Sequence, residues 1–166
     1  MPYSTKAVAN LLLDLAKDRS LPVSPMKLQK LLFFAHGWHL ALANEPLLDE
    51  PVEAWQYGPV IDSLYHAFKH CGTRPISGYA TEFDIEDLQD ITPVLSDSDK
   101  AQVGPLLNEV LDVYGKFSAV QLSNMTHEPG TPWDDTWRAT GGLRRNADID
   151  DAKIKAYFLA RRKSQS

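Results

Sequence analysis

The 166-residue chain contains one cysteine, Cys71. It can form no internal disulfide and supply no cysteine zinc ribbon, which suits a reducing compartment. Long apolar runs are missing too. The stretches around Val8 to Leu15 and Leu31 to Ala35 fall far short of the roughly 20 residues that a membrane helix needs. The opening Met1-Pro2-Tyr3-Ser4-Thr5-Lys6 has no apolar signal core, so a cytoplasmic location away from membranes is expected. There is no basic excess: 17 Lys and Arg stand against 22 Asp and Glu, a net charge of -5. That balance disfavours bulk binding to nucleic-acid phosphates. Glycine-rich dinucleotide and phosphate loops, a serine nucleophile elbow and a His-Glu-x-x-His pair are all absent, and no cofactor or metal is expected. No internal repeat, low-complexity block or dividing linker occurs.

What is present reads as one mainly α-helical domain over residues 1–166, with about five to seven helices and a small strand or hairpin. Ser4 or Thr5 caps a first amphipathic helix through Val8, Leu11, Leu12 and Leu15. Ser24-Pro25 starts a long second helix carrying Leu28, Leu31, Leu32, Ala35, Trp38, His39 and Leu42. Alternation around Val52 to Tyr57 predicts a strand, and Gly58-Pro59 then predicts the start of a helix through Val60, Ile61, Leu64, Tyr65 and Phe68. Thr73 to Ser98 reads as an irregular connection with one short strand at Pro75 to Tyr79. A helix from Ser96 to Tyr114 contains Pro105, which predicts either a kink or two helices meeting at Gly104-Pro105. Ser118 and Gln121 form a capping box for a short helix over Ala119 to Thr126. Thr126 to Gly142 reads as a tryptophan-rich loop, and a helix over about 149–162, capped by Asp148, closes the chain before a fraying tail at Ser164 to Ser166.

Few side chains suggest chemistry. His36 with His39, and His66 with His70, have spacings that can face one way along a helix, but neither pair has the third and fourth ligands a metal requires. His127 near Asp134 and Asp135 holds the residue types for acid–base work, the basis of an alternative reading as a small hydrolase. Cys71 adjoins His70 in sequence, and neighbours of this kind are expected to point apart. Arg144, Arg145, Lys153, Lys155 and Arg161 to Lys163 are the sole basic concentration, which a solvated helix end explains better than a nucleic-acid partner. The aromatics are a stronger sign. Trp38, Trp55, Trp133 and Trp137 exceed what a core of this size needs, so a subset serves either packing or a protein partner.

Lys27-Leu28-Gln29-Lys30-Leu31-Leu32-Phe33-Phe34-Ala35-His36-Gly37-Trp38, followed by Glu53-Ala54-Trp55-Gln56-Tyr57-Gly58-Pro59-Val60, resembles the Panacea domain family, which includes SocA-like and GepA-like phage-associated proteins. The resemblance continues in the family's order through Tyr114-Gly115, Ser118 to Ser123, Thr126-His127 and Pro132-Trp133, covering about residues 5–137. It implies a mostly helical, non-catalytic antitoxin that neutralises a cytoplasmic protein toxin, encoded by an adjacent gene, through direct contact. A protease adaptor that delivers the toxin for degradation is the variant implied by SocA-like members. The motif residues expected to form the partner-binding surface or its supporting core are Trp38, Trp55, Tyr57, Gly58, Pro59, Val60, His127, Pro132 and Trp133. Thr73 to Ser98 and the chain after Gly142 lie outside the matched motifs, and partner choice is expected to be encoded there.

Overall fold

A computed structural model describes residues 1–142 and 146–164. In chain order the elements are helices α1 (Thr5–Asp18) and α2 (Pro25–Ala43), strands β1 (Val52–Trp55) and β2 (Gly58–Val60), and helix α3 (Asp62–Phe68) with a 3-10 turn at Lys69–Cys71. Strands β3 (Glu82–Asp84) and β4 (Gln89–Ile91) follow, then α4 (Asp97–Tyr114), α5 (Ala119–Thr126), α6 (Pro132–Ala139), β5 (Ala147–Ile149) and α7 (Asp151–Ser164). The chain is mainly α with a small sheet.

Hydroxyl caps set the helix starts. Ser4, Ser24, Ser96, Ser118 and Thr131 each accept a hydrogen bond from a backbone N–H in the first turn of α1, α2, α4, α5 and α6. At α5 the box is reciprocal: Ser118 Oγ accepts from the Gln121 N–H at 3.1 Å, and the Ser118 N–H donates to Gln121 Oε1 at 2.8 Å. Helix α2 is apolar around most of its circumference and is therefore the axis of the fold, packed against α7, α5, α4, α3 and β2. Its aromatic residues join a cluster with Tyr114 and Phe158. Phe34 stacks on Tyr114 with centroids 3.9 Å apart, and Phe158 packs on Phe33, Phe34 and Trp38. Gly37 makes that approach possible, since a Cβ there would fall 2.1 Å from the Phe158 ring.

The sheet order is β2-β1-β5, both pairs antiparallel, with Ala54 opposite Pro59 on one side and Ala147 on the other. A strand thus comes back from the end of the chain to complete a hairpin near its middle. β3 and β4 form a separate two-stranded sheet.

Five local expectations are corrected. Gly58-Pro59 begins no helix: Gly58 opens the edge strand β2 at φ +120° and Pro59 follows in it, where its missing N–H breaks no ladder, so α3 starts at Asp62. Pro75 to Tyr79 is not a strand; the strands of that region are β3 and β4. Of the two outcomes expected at Pro105, the division into two helices does not occur, since α4 is one helix of 18 residues. The supposed loop from Thr126 to Gly142 contains α6, because Thr131-Pro132 repeats the cap-plus-proline device of Ser24-Pro25. Asp148 belongs to β5, and Asp150 accepts from the Ala152 N–H at the start of the last helix, which begins at Asp151. Of the C-terminal basic groups and tail, Arg144, Arg145, Gln165 and Ser166 lie outside the described residues.

Candidate partner-binding surface

Burial of polar groups on α2 shows what the motif does. Lys27, Gln29, Lys30 and His36 are all buried, so each needs a partner inside the protein. Lys27 Nζ donates to the Gly115 carbonyl at 2.6 Å. Gln29 grips Ile61 as a neighbouring strand would, accepting from its N–H at 2.8 Å and donating to its carbonyl at 3.0 Å. Lys30 Nζ donates to the Pro59 carbonyl at 2.9 Å, and a Cβ on Gly58 would crowd that nitrogen at 2.9 Å. Burial holds the Lys30 ammonium down at about 7, and lowers Lys27 in the same sense. His36 Nδ1 accepts from the Leu48 N–H at 3.4 Å, which leaves Nε2 to donate to Asp151 Oδ1 at 2.9 Å and tie α2 to the start of α7. The motif words along the sequence are therefore joined by side chain-to-backbone bonds that centre on one helix.

The nine motif residues divide by position. Trp38 belongs to the packing cluster, and its indole donates to the Tyr114 hydroxyl at 3.0 Å. Gly58, Pro59, Pro132 and Trp133 are buried, Trp133 at 7% exposure. The Trp133 indole donates to the Trp55 carbonyl at 2.6 Å and stacks on Trp137 at 5.4 Å, while Ser123 Oγ donates to the Tyr57 carbonyl at 3.1 Å. The β1–β2 turn is thus held from below by α5 and α6. Above it, Trp55 and Val60 are half-buried and Tyr57 is 70% exposed. Met26, Trp55, Tyr57, Tyr65 and Lys69 line a groove of about 490 Å³ between the start of α2, this turn and α3. Trp55 and Tyr65 meet there at 4.8 Å. The groove is aromatic and partly apolar, with Lys69 at its edge.

The groupings considered for chemistry are placed differently. No hydrogen bond or ion pair joins His127 to Asp134 or Asp135. The His127 ring packs edge-on against Trp133, its Nδ1 is buried with no hydrogen-bond partner among the described residues, and Asp134 accepts from the Gly130 N–H and from Arg138. His36 and His39 diverge, the latter facing the Glu45 carbonyl. His66 sits beside Asp62. The expectation that His70 and Cys71 point apart is overturned: the 3-10 turn brings Cys71 Sγ within 3.6 Å of His70 Nε2 at an exposed corner. No three of His, Cys, Asp or Glu converge among the described residues. No described helix is long and apolar enough to cross a membrane.

Sequence reasoning treated Lys27, Gln29 and Lys30 as part of a recognisable string without a role. The signal available was three long polar side chains on a helix otherwise apolar on most sides.

Comparison with known proteins places the chain in a family. The family model described as "Antitoxin SocA-like, Panacea domain" matches residues 28–134, the span from α2 into α6. Antitoxin SocA of Caulobacter vibrioides (strain NA1000 / CB15N) is 36% identical over 162 residues, covering 97% of this chain and 85% of the relative. No solved structure matches. The chain belongs to the SocA-like antitoxin family that carries the Panacea domain.

Proposed function

We propose that the chain is the antitoxin of a toxin–antitoxin pair and neutralises a cytoplasmic protein toxin, encoded by a neighbouring gene, by binding it directly. The observation that carries this reading is the division of the motif. Its charged and amide groups on α2 are used up in holding backbone, whereas its aromatic groups Trp55 and Tyr57 edge an open groove. A surface of that kind suits binding, and kinship with an antitoxin family supports a role exerted by contact and not by catalysis. Binding would occlude the toxin's working surface, with Tyr57 as an anchor supported from behind by Ser123 and Trp133.

The test is co-expression of the neighbouring gene product with and without this chain. Rescue of growth, with the toxin persisting at undiminished level, is the expected outcome. Rescue accompanied by rapid loss of the toxin would favour a protease adaptor, and unrelieved toxicity would contradict the pairing. Tyr57→Ala should leave stability within about 0.5 kcal/mol, as for exposed sites generally, and weaken toxin binding by about tenfold or more.

A further inference from the structure

One segment leaves the body of the protein and returns to the residue from which it departed. Asn10, on α1 and 4% exposed, donates from Nδ2 to the carbonyls of Ala80 and Pro93, both at 3.0 Å, and accepts from the Ala80 N–H at 2.8 Å. One amide thus pins both feet of the excursion, with three of its four hydrogen-bonding positions in use. Lys6 adds a bond to the Thr81 carbonyl at 2.9 Å, and the Tyr79 hydroxyl bonds Asp14. Between the feet, β3 and β4 pair with each other through Glu82 opposite Ile91, Phe83 opposite Asp90 and Asp84 opposite Gln89, and pack broadly on no other element.

The composition of this arm makes no sense as packing. Phe83 is 61%, Ile85 79% and Leu88 73% exposed, where a solitary two-stranded hairpin has no core of its own to bury them. Leu88 is held at φ +52° in the turn, a conformation that a branched side chain disfavours and that glycine or asparagine ordinarily supplies. Glu82, Asp84, Glu86, Asp87 and Asp90 lie among these residues, and no Lys, Arg or His occurs from 80 to 93. An anchored base, an apolar tip set out in solvent and charge of one sign are three independent features of a surface made for another molecule.

Resting on the antitoxin reading above, we propose that the hairpin arm at 80–93 is a second toxin-binding element. Its tip residues Phe83, Ile85 and Leu88 enter an apolar cleft of the toxin, and its five carboxylates meet a Lys- and Arg-rich rim around that cleft. The carboxylates steer encounter with a basic surface and oppose pairing of the arm with the same arm of another copy.

The experiment titrates the purified neighbouring toxin with the full-length chain in three forms: unaltered, Phe83→Ser/Ile85→Ser/Leu88→Ser, and Glu82→Lys/Asp87→Lys/Asp90→Lys. All six positions are surface sites of an element outside the core, so melting temperatures should stay within about 2 °C of the parent. Each altered form should bind at least tenfold more weakly, and the charge-reversed form should also lose the fall in association rate that added salt produces. Leu88→Gly adds a readout that a merely structural role would not give: stability unchanged or raised, affinity lowered. Complexes of equal affinity for all forms overturn the proposal and leave the antitoxin reading standing. A parent chain that is dimeric alone and becomes monomeric on charge reversal also overturns it, assigning the arm to a second copy. Absence of any complex with the unaltered chain removes both readings.

Discussion

The indole N–H of Trp133 donates to the main-chain carbonyl of Trp55 at 2.6 Å, across 78 positions of sequence. That bond fixes α6 beneath β1 and sets the height at which the β1–β2 turn presents Tyr57. Both partners are tryptophans of the family motif, yet the buried one supplies its ring edge to structure and the half-exposed one supplies its backbone.

Trp133→Ala should therefore act on the fold first. It empties a 7%-exposed site and leaves the Trp55 carbonyl without its donor, a loss of about 3–5 kcal/mol for a large buried ring. Trp133→Phe keeps most of the ring and removes the donor, which should cost nearer to about 1–3 kcal/mol. Thermal melts of the two variants check the order. A Trp133→Ala protein that melts like the parent but fails to neutralise would place this ring in the interface instead.

Lys30 should give the fold a pH dependence of known sign. Its ammonium, held at about 7 by burial, has lost its proton in the folded protein over a range where the unfolded chain, near the ordinary 10.5, still binds it. Stability therefore rises with pH between about 7 and 10.5 and the gain disappears as pH falls through 7. Lys27 contributes in the same direction, while the raised Tyr114 hydroxyl opposes it only near pH 10 and above. The limiting slope for one proton is about 1.4 kcal/mol per pH unit. Melts from pH 7 to 9 should show the rise in the parent and a flatter profile in Lys30→Met; equal slopes in the two would show that Lys30 does not carry the effect.

Asn10→Ala should loosen the base of the hairpin arm. It strips acceptor and donor from Ala80 and the donor from Pro93, at a cost of about 1–3 kcal/mol for buried groups left unpaired. Hydrogen exchange at the Ala80 amide should accelerate sharply, ahead of amides in α2. Unchanged protection at Ala80 would show that the neighbouring bonds suffice to hold the arm.

Four of the helix starts were legible in the chain because each carries its own local signal. Ser4, Ser24, Ser96 and Ser118 cap helices where the spacing of apolar residues begins. The strands were less so. β2 and β5 are three residues each, and their identity depends on pairing with β1 from opposite directions along the chain, which no local pattern records. β3 and β4 were hidden by their turn, where Leu88 occupies the left-handed position in place of a glycine that would have announced a hairpin. α6 was masked by Pro129, Gly130 and Pro132, residues that read as loop until Thr131 is recognised as a cap. At the candidate surface, the motif tryptophans stood out by composition and Tyr57 by its place in the family motif. Their division into support and open groove required the contacts of Lys30, Ser123 and Trp133, which join segments remote in sequence.

Neutralisation by direct binding requires two purified proteins and nothing else. The chain and the product of its neighbouring gene, mixed and run on size exclusion with light scattering, should elute as one complex in which the toxin's activity is lost. Separate elution with the toxin still active, or neutralisation that appears only when a protease is added, would contradict it.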